Sequence, residues 1–235
     1  MTLAQRLKSA LRFKMGLSSL LPTLFCTFYF GLQKCPMVSP VSFAYMAMDR
    51  WIGYHPAWGI AYHSIYAFLP IFPWLAISRI DLTRYALGFT GLCAASFLVF
   101  FFFPVEAPRA NLFPETLMNQ LLGTHNGKLN AFPSLHAGLV VCSLLFGLRT
   151  LPHPGRNWLI ATACIWGAGI LFAALATKQH YAVDLPAGMM LAWVFHKLVW
   201  SINHKPFYKE EYHETESSGH RVMPVFLASR SDVRR

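Results

Sequence analysis

Two short polar motifs stand at the ends of apolar runs in this chain, Phe132-Pro133-Ser134-Leu135-His136 and Lys178-Gln179-His180-Tyr181-Ala182-Val183-Asp184. Ionisable groups at the edge of a membrane span are costly to keep, and several kept together point to chemistry. His180 and Asp184 are four residues apart, so on a helix that begins near here they share one face. Asp184 can then accept a hydrogen bond from one imidazole nitrogen, which fixes the tautomer and leaves the other nitrogen as a nucleophile or base. The same pair also fits a plainer arrangement, a carboxylate at the positive end of a helix dipole beside an interfacial histidine. Pro186, just inside the apolar run, supports a helix start.

Ser134 reads as the N-cap of the next helix, where its hydroxyl and the following N–H groups can cradle an anion. His136, two residues on, brings a second imidazole to the same membrane edge. Arg109, Lys128 and Lys178 are the cations expected to bind a phosphate there, while Arg50 beside Trp51 reads as an interfacial anchor. Two histidines and an aspartate are also common zinc ligands. No His-Glu-x-x-His or cysteine-based spacing accompanies them, and Lys178 and Arg109 would repel a divalent cation while attracting a phosphate. The expected site therefore uses neither a metal nor another cofactor.

The elements that must hold these groups are membrane helices. Hydrophobic residues are 55% of the 235 and charged ones only 13%, and the mean hydropathy is +0.39, values that exclude an ordinary solvated domain. Apolar runs near 17–33, 58–77, 86–103, 135–151, 158–176 and 185–201 predict an all-α integral membrane bundle of about six spans. Pro70 and Pro73 interrupt the second. The first run reads as a span rather than a secretory signal, because it is long and no small-residue cleavage pattern follows it. The chain divides into a basic N-terminus over 1–14, a membrane domain over 15–203 and a polar tail over 204–235.

The chain carries 20 Lys and Arg residues. With a cytoplasmic N-terminus, only Lys34, Arg50, Arg109, Lys128 and Lys178 fall outside, so the positive-inside rule puts both termini in the cytoplasm and both motifs on the external face. The expected setting is a cell membrane, of the bacterial inner-membrane kind. The formal charge of +10 accordingly argues for contact with anionic lipid and against nucleic acid.

The two motifs, with Gly188 after the second, resemble the second and third signature motifs of the type-2 phosphatidic acid phosphatase superfamily. The Phe-Pro-Ser-x-His and Lys-Gln-His-Tyr-x-x-Asp forms are most similar to its inositol phosphorylceramide synthase-like branch, which also resembles the sphingomyelin synthases. The resemblance covers roughly residues 15–203. It implies that His180 attacks phosphorus, Asp184 orients it, His136 serves as general acid and then base, and Ser134 holds phosphate. The chain departs from the family pattern at Phe102, Ala110 and Ala174, where a Lys, a Pro and an Arg are usual. Its expected substrate is a phosphatidic acid, a polyprenyl or sphingolipid phosphate, or a phospholipid head group. A transporter or scaffold that binds phosphorylated lipids without catalysis is the other class to weigh, but such a binder needs the cations and not an oriented histidine pair.

Overall fold

The computed structural model describes residues 3–34, 38–108, 129–151 and 156–202, and among these every regular element is helical. Helix α1 (Leu3–Lys8) leads into α2 (Leu11–Lys34), which already begins inside the basic N-terminal stretch. Then come the short helices α3 (Ala47–Ile52), α4 (Gly59–His63), α5 (Ile65–Phe68) and α6 (Ile71–Leu75), followed by α7 (Arg79–Phe102). The motif-bearing half holds α8 (Leu135–Thr150), α9 (Arg156–Ala176) and α10 (Asp184–Ser201).

The protein is an all-α integral membrane bundle. Three of its described helices, Leu11–Leu32 of α2, α7 and α9, are long and apolar enough to cross a membrane, and α8 is a shorter apolar helix of 16 residues. A 24-residue helix such as α7 rises about 36 Å, more than the hydrocarbon thickness.

The expected second span is not one helix. A 3₁₀ turn at Pro56–Trp58 precedes α4, α5 and α6, which break at Ser64 and again at Leu69 and Pro70. Proline lacks the N–H that would continue the ladder. At the Ser64 break the hydroxyl donates to the Ala61 carbonyl at 2.6 Å and accepts from Trp166 Nε1 at 2.8 Å. The Ser64 side chain thus covers a carbonyl at the break, and a neighbouring helix holds that hydroxyl in place.

Helices α8 and α10 meet at backbone distance. A Cβ on Gly188 would stand 2.1 Å from the Ser134 carbonyl oxygen, and one on Gly138 would stand 3.1 Å from the Gly188 carbonyl oxygen. Gly188 leaves no room for a side chain at this approach and Gly138 little, the kind of contact that small residues commonly provide between membrane helices. Phe68, Phe72, Leu92, Val140, Phe146 and Ile170 fill the core beneath. At the motif end, isolated parallel bridges link Val41 to Val105 and Val105 to Asn130. They gather the segments before α3, after α7 and before α8 into one layer.

Candidate active site

Ser134 caps α8, its Oγ accepting from the Ala137 N–H at 3.3 Å, and is fully buried. Its own N–H donates to the Asp184 carbonyl at 3.0 Å, so the start of α8 is tied directly to the start of α10. The two motifs therefore share one hydrogen-bonded corner, held there by the glycine contact below it.

In that corner His180 Nδ1 lies 2.8 Å from the Ala131 carbonyl oxygen and 3.5 Å from Asp184 Oδ2. A carbonyl oxygen only accepts, so Nδ1 carries the proton and Nε2 keeps its lone pair. Asp184 Oδ2 also accepts from the Tyr181 N–H at 2.7 Å, while Oδ1 has no partner and the residue is fully buried. As the first residue of α10, this carboxylate meets the positive end of the helix dipole. A buried carboxylate with one idle oxygen favours a positive charge developing on the imidazole beside it.

His136 reaches the same space from α8. Its ring centroid is 5.7 Å from that of His180, so both imidazoles are within reach of one phosphoryl-sized group. On its other side Tyr62 stacks at 4.1 Å, with the hydroxyl 3.4 Å from His136 Nδ1. That contact leaves Nε2 of His136 for a substrate. Tyr62 reads from sequence as a core or belt aromatic, and only the bend of the broken segment brings it here.

Lys178 is turned elsewhere. Helix α9 ends in a Schellman cap, in which the Lys178 N–H donates to the Leu175 carbonyl at 3.1 Å and the Gln179 N–H to the Ala174 carbonyl at 3.0 Å. Lys178 takes the left-handed position, with φ of 54°, which costs a residue bearing a Cβ about 1–2 kcal/mol. The turn sends Lys178 towards α3, where its ammonium donates to the Asp49 carbonyl and lies 5.8 Å from the centre of the Tyr45 ring. Burial pushes its pKa below the ordinary lysine value, opposed by the Asp49 carboxylate. That carboxylate is itself buried, accepting from Met46 N–H and from Ala182 N–H at 2.9 and 2.8 Å. Lys178 and Asp49 thus lock the segment before α10 onto α3.

The histidines open on a cavity of about 400 Å³. Its polar end is His136, His180, Asn130 and Gln179, and a stripe of α2 that includes Leu17, Leu21, Phe25 and Tyr29 forms one apolar wall. Ser134, Asp184 and Lys178 do not line it. Asn130 and Gln179 are the residues that sequence reasoning passed over, although Gln179 stands inside the second motif. Of the other expected phosphate ligands, Arg109 and Lys128 lie outside the described residues, as does the tail. Among the described residues, no three His, Cys, Asp or Glu side chains gather as a metal would require.

A family model described as the PAP2 superfamily matches residues 41–198, and the chain belongs to that superfamily. The matched stretch contains both motifs and excludes α1 and α2. Comparison with curated proteins and with solved structures returns no match. Membership supports a phosphatase or phosphotransferase acting in the membrane on a phosphorylated substrate.

Proposed function

We propose that this superfamily member is a metal-independent lipid phosphatase or phosphotransferase that works through a phosphohistidine at His180. The observation that carries the reading is the Ala131 carbonyl on His180 Nδ1, since it aims a lone pair on Nε2 at the cavity that His136 shares. A pure binder has no use for a histidine held in one tautomer.

In the first step His180 Nε2 attacks phosphorus. The N–P bond forms as the bond from phosphorus to the leaving oxygen breaks, and His136, whose protonated form the anionic phosphate favours, gives that oxygen its proton. The positive charge on the phosphorylated ring faces Asp184 Oδ2. In the second step water or an alcohol attacks phosphorus and passes a proton to His136, and the N–P bond breaks to return the lone pair to His180. Little of this needs covalent help beyond positioning and charge placement, as phosphoryl transfer generally does.

The substrate is a phosphorylated lipid or a phospholipid head group, and the apolar α2 wall supports this because it offers hydrocarbon a dry surface beside the polar end. The acceptor is water or an alcohol. The basic-residue asymmetry favours both termini in the cytoplasm, a cell-membrane location and a site on the external face, with Arg109 and Lys128 as the proposed phosphate-facing cations.

The test is single-turnover labelling of the full chain in detergent with a ³²P-labelled lipid phosphate. An acid-labile, base-stable label should form on His180, survive chelators, and be absent from His180→Ala. Turnover by His180→Ala at the wild-type rate would overturn the covalent reading, and loss of turnover on chelation, restored by zinc or magnesium, would overturn metal independence.

A further inference from the structure

We propose that the side-chain amides of Asn130 and Gln179 are the donors that hold the oxygens of the phosphoryl group while His180 attacks it. This rests on the proposed function and adds two residues to it. Asn130 Nδ2 and Gln179 Nε2 are both buried with no hydrogen-bond partner, and both residues line the cavity at its histidine end. An unpartnered buried donor costs about 1–3 kcal/mol. Two such donors in one cavity imply a ligand that presents acceptors.

Their placement fits the reaction. Asn130 immediately precedes Ala131, whose carbonyl fixes His180, and Gln179 immediately precedes His180 itself. The two residues therefore reach the cavity that His180 lines from separate segments. Each backbone is pinned: Asn130 pairs with Val105, the Ala131 N–H donates to the Val105 carbonyl at 3.1 Å, and the Gln179 N–H closes the α9 cap at 3.0 Å. Donors fixed in advance stabilise developing charge without reorganising.

Among the described residues, the lysines near the cavity are already committed. Lys178 is held by the Asp49 carbonyl, and Lys14, at the far end, donates to the Arg6 and Trp74 carbonyls at 2.7 Å each and to Ser9 Oγ at 3.4 Å. Among the described residues that share this cavity with the histidines, the unpartnered buried side-chain N–H groups are thus neutral carboxamides. An amide nitrogen donates and cannot accept, so the group it meets must bring oxygen lone pairs. With a nucleophilic nitrogen beside it, that group is a phosphoryl.

The test uses the full chain in detergent, with Asn130→Ala, Gln179→Ala and the double variant made in wild-type and His180→Ala backgrounds. Binding of inorganic phosphate and tungstate is measured by calorimetry, phosphohistidine by single-turnover labelling, and stability by thermal unfolding. Each alanine should weaken oxyanion binding about tenfold in both backgrounds, lower kcat about a hundredfold, and leave the melting temperature unchanged or higher. Unchanged oxyanion binding, with normal phosphohistidine in wild type, would overturn the role of the amides and leave the covalent reading standing. Amide-dependent binding with no phosphohistidine in wild type would sustain the amides as a phosphate site while removing the covalent reading. A lowered melting temperature with unaltered oxyanion binding would assign them to the packing of the fold and overturn the proposal.

Discussion

His180 Nδ1 sits 2.8 Å from the main-chain oxygen of Ala131, closer than its 3.5 Å separation from Asp184 Oδ2. The tautomer and the compensating charge therefore come from different residues. A main-chain oxygen survives any side-chain substitution, whereas in the serine hydrolase triads a carboxylate performs both tasks.

Asp184→Asn should consequently be milder than the corresponding triad change, which costs about 10⁴ in kcat. We expect a loss of about tenfold to a hundredfold, from removal of charge beside the ring alone, given about 1–3 kcal/mol for a charged hydrogen-bonding partner. Phosphohistidine should still form, more slowly, in rapid-quench labelling. A fall of four orders of magnitude would mean that Asp184 sets the tautomer after all.

Lys178 should behave as a brace. Lys178→Met removes the tie to the Asp49 carbonyl while keeping the left-handed strain, so thermal stability should drop by about 1–2 kcal/mol. Lys178→Gly loses the same tie but relieves the backbone, and should recover about 1 kcal/mol of that. In both, KM for a lipid phosphate should move less than threefold. A large rise in KM with unaltered unfolding would return Lys178 to the phosphate.

What the sequence made legible is what is local. Helix starts at Ser134 and Asp184 follow from a cap residue and a carboxylate beside a proline, and the four-residue step from His180 to Asp184 needs no tertiary knowledge. Lys178 is visible as a charge, but its direction depends on a left-handed φ that its residue type disfavours. The Ala131 carbonyl has no side-chain signature at all, and Asn130 enters the site through a bridge to Val105 that joins segments 25 positions apart. Pro70 and Pro73 announced an interrupted second span, while the break at Ser64, which bends Tyr62 over His136, depends on a partner from α9. The α2 stripe repeats every three or four residues like any packed face, and sequence cannot tell a face that meets a cavity from one that meets a helix.

The contact between α8 and α10 should tolerate no side chain. In Gly188→Ala the new methyl would fall 2.1 Å from the Ser134 oxygen, so the helices must part and pull Ser134 N–H from the Asp184 carbonyl. We expect a loss of about 3 kcal/mol and loss of most activity. Gly169→Ala is the control: nothing lies within 4 Å of its Cβ position, so unfolding in detergent should be unchanged or slightly later. Equal behaviour of the two variants would contradict the close crossing.

His136 faces the leaving group if it is the acid, so the loss in His136→Ala should depend on what leaves. For an alkyl lipid phosphate, kcat should fall by about 10²–10⁴. For an activated aryl phosphate, whose leaving oxygen needs no proton, the fall should be at least tenfold smaller. Tyr62→Phe keeps the stacked ring but removes the hydroxyl near Nδ1, and should shift the pH profile of alkyl phosphate turnover while sparing the aryl substrate. An equal defect of His136→Ala on both substrates would remove its role as the acid.

The cavity wall supplied by α2 should read the length of the substrate chain. From Lys14 to Phe30 this helix rises about 24 Å, and its lining residues recur along one face. The cavity these residues help to line holds about 400 Å³, and its α2 side is apolar. Protein interiors are otherwise close-packed, so a cavity with an apolar wall is a place for a chain supplied by the membrane. Leu21 stands midway along the stripe. Replacing it with Trp should block the cavity below that depth, lowering kcat/KM for a long-chain lipid phosphate about tenfold relative to a short-chain one, since burying each methylene contributes about 0.8 kcal/mol. The measurement is a chain-length series at fixed head group in wild type and Leu21→Trp. A parallel fall at every length would mean that α2 supports the fold without touching the substrate chain.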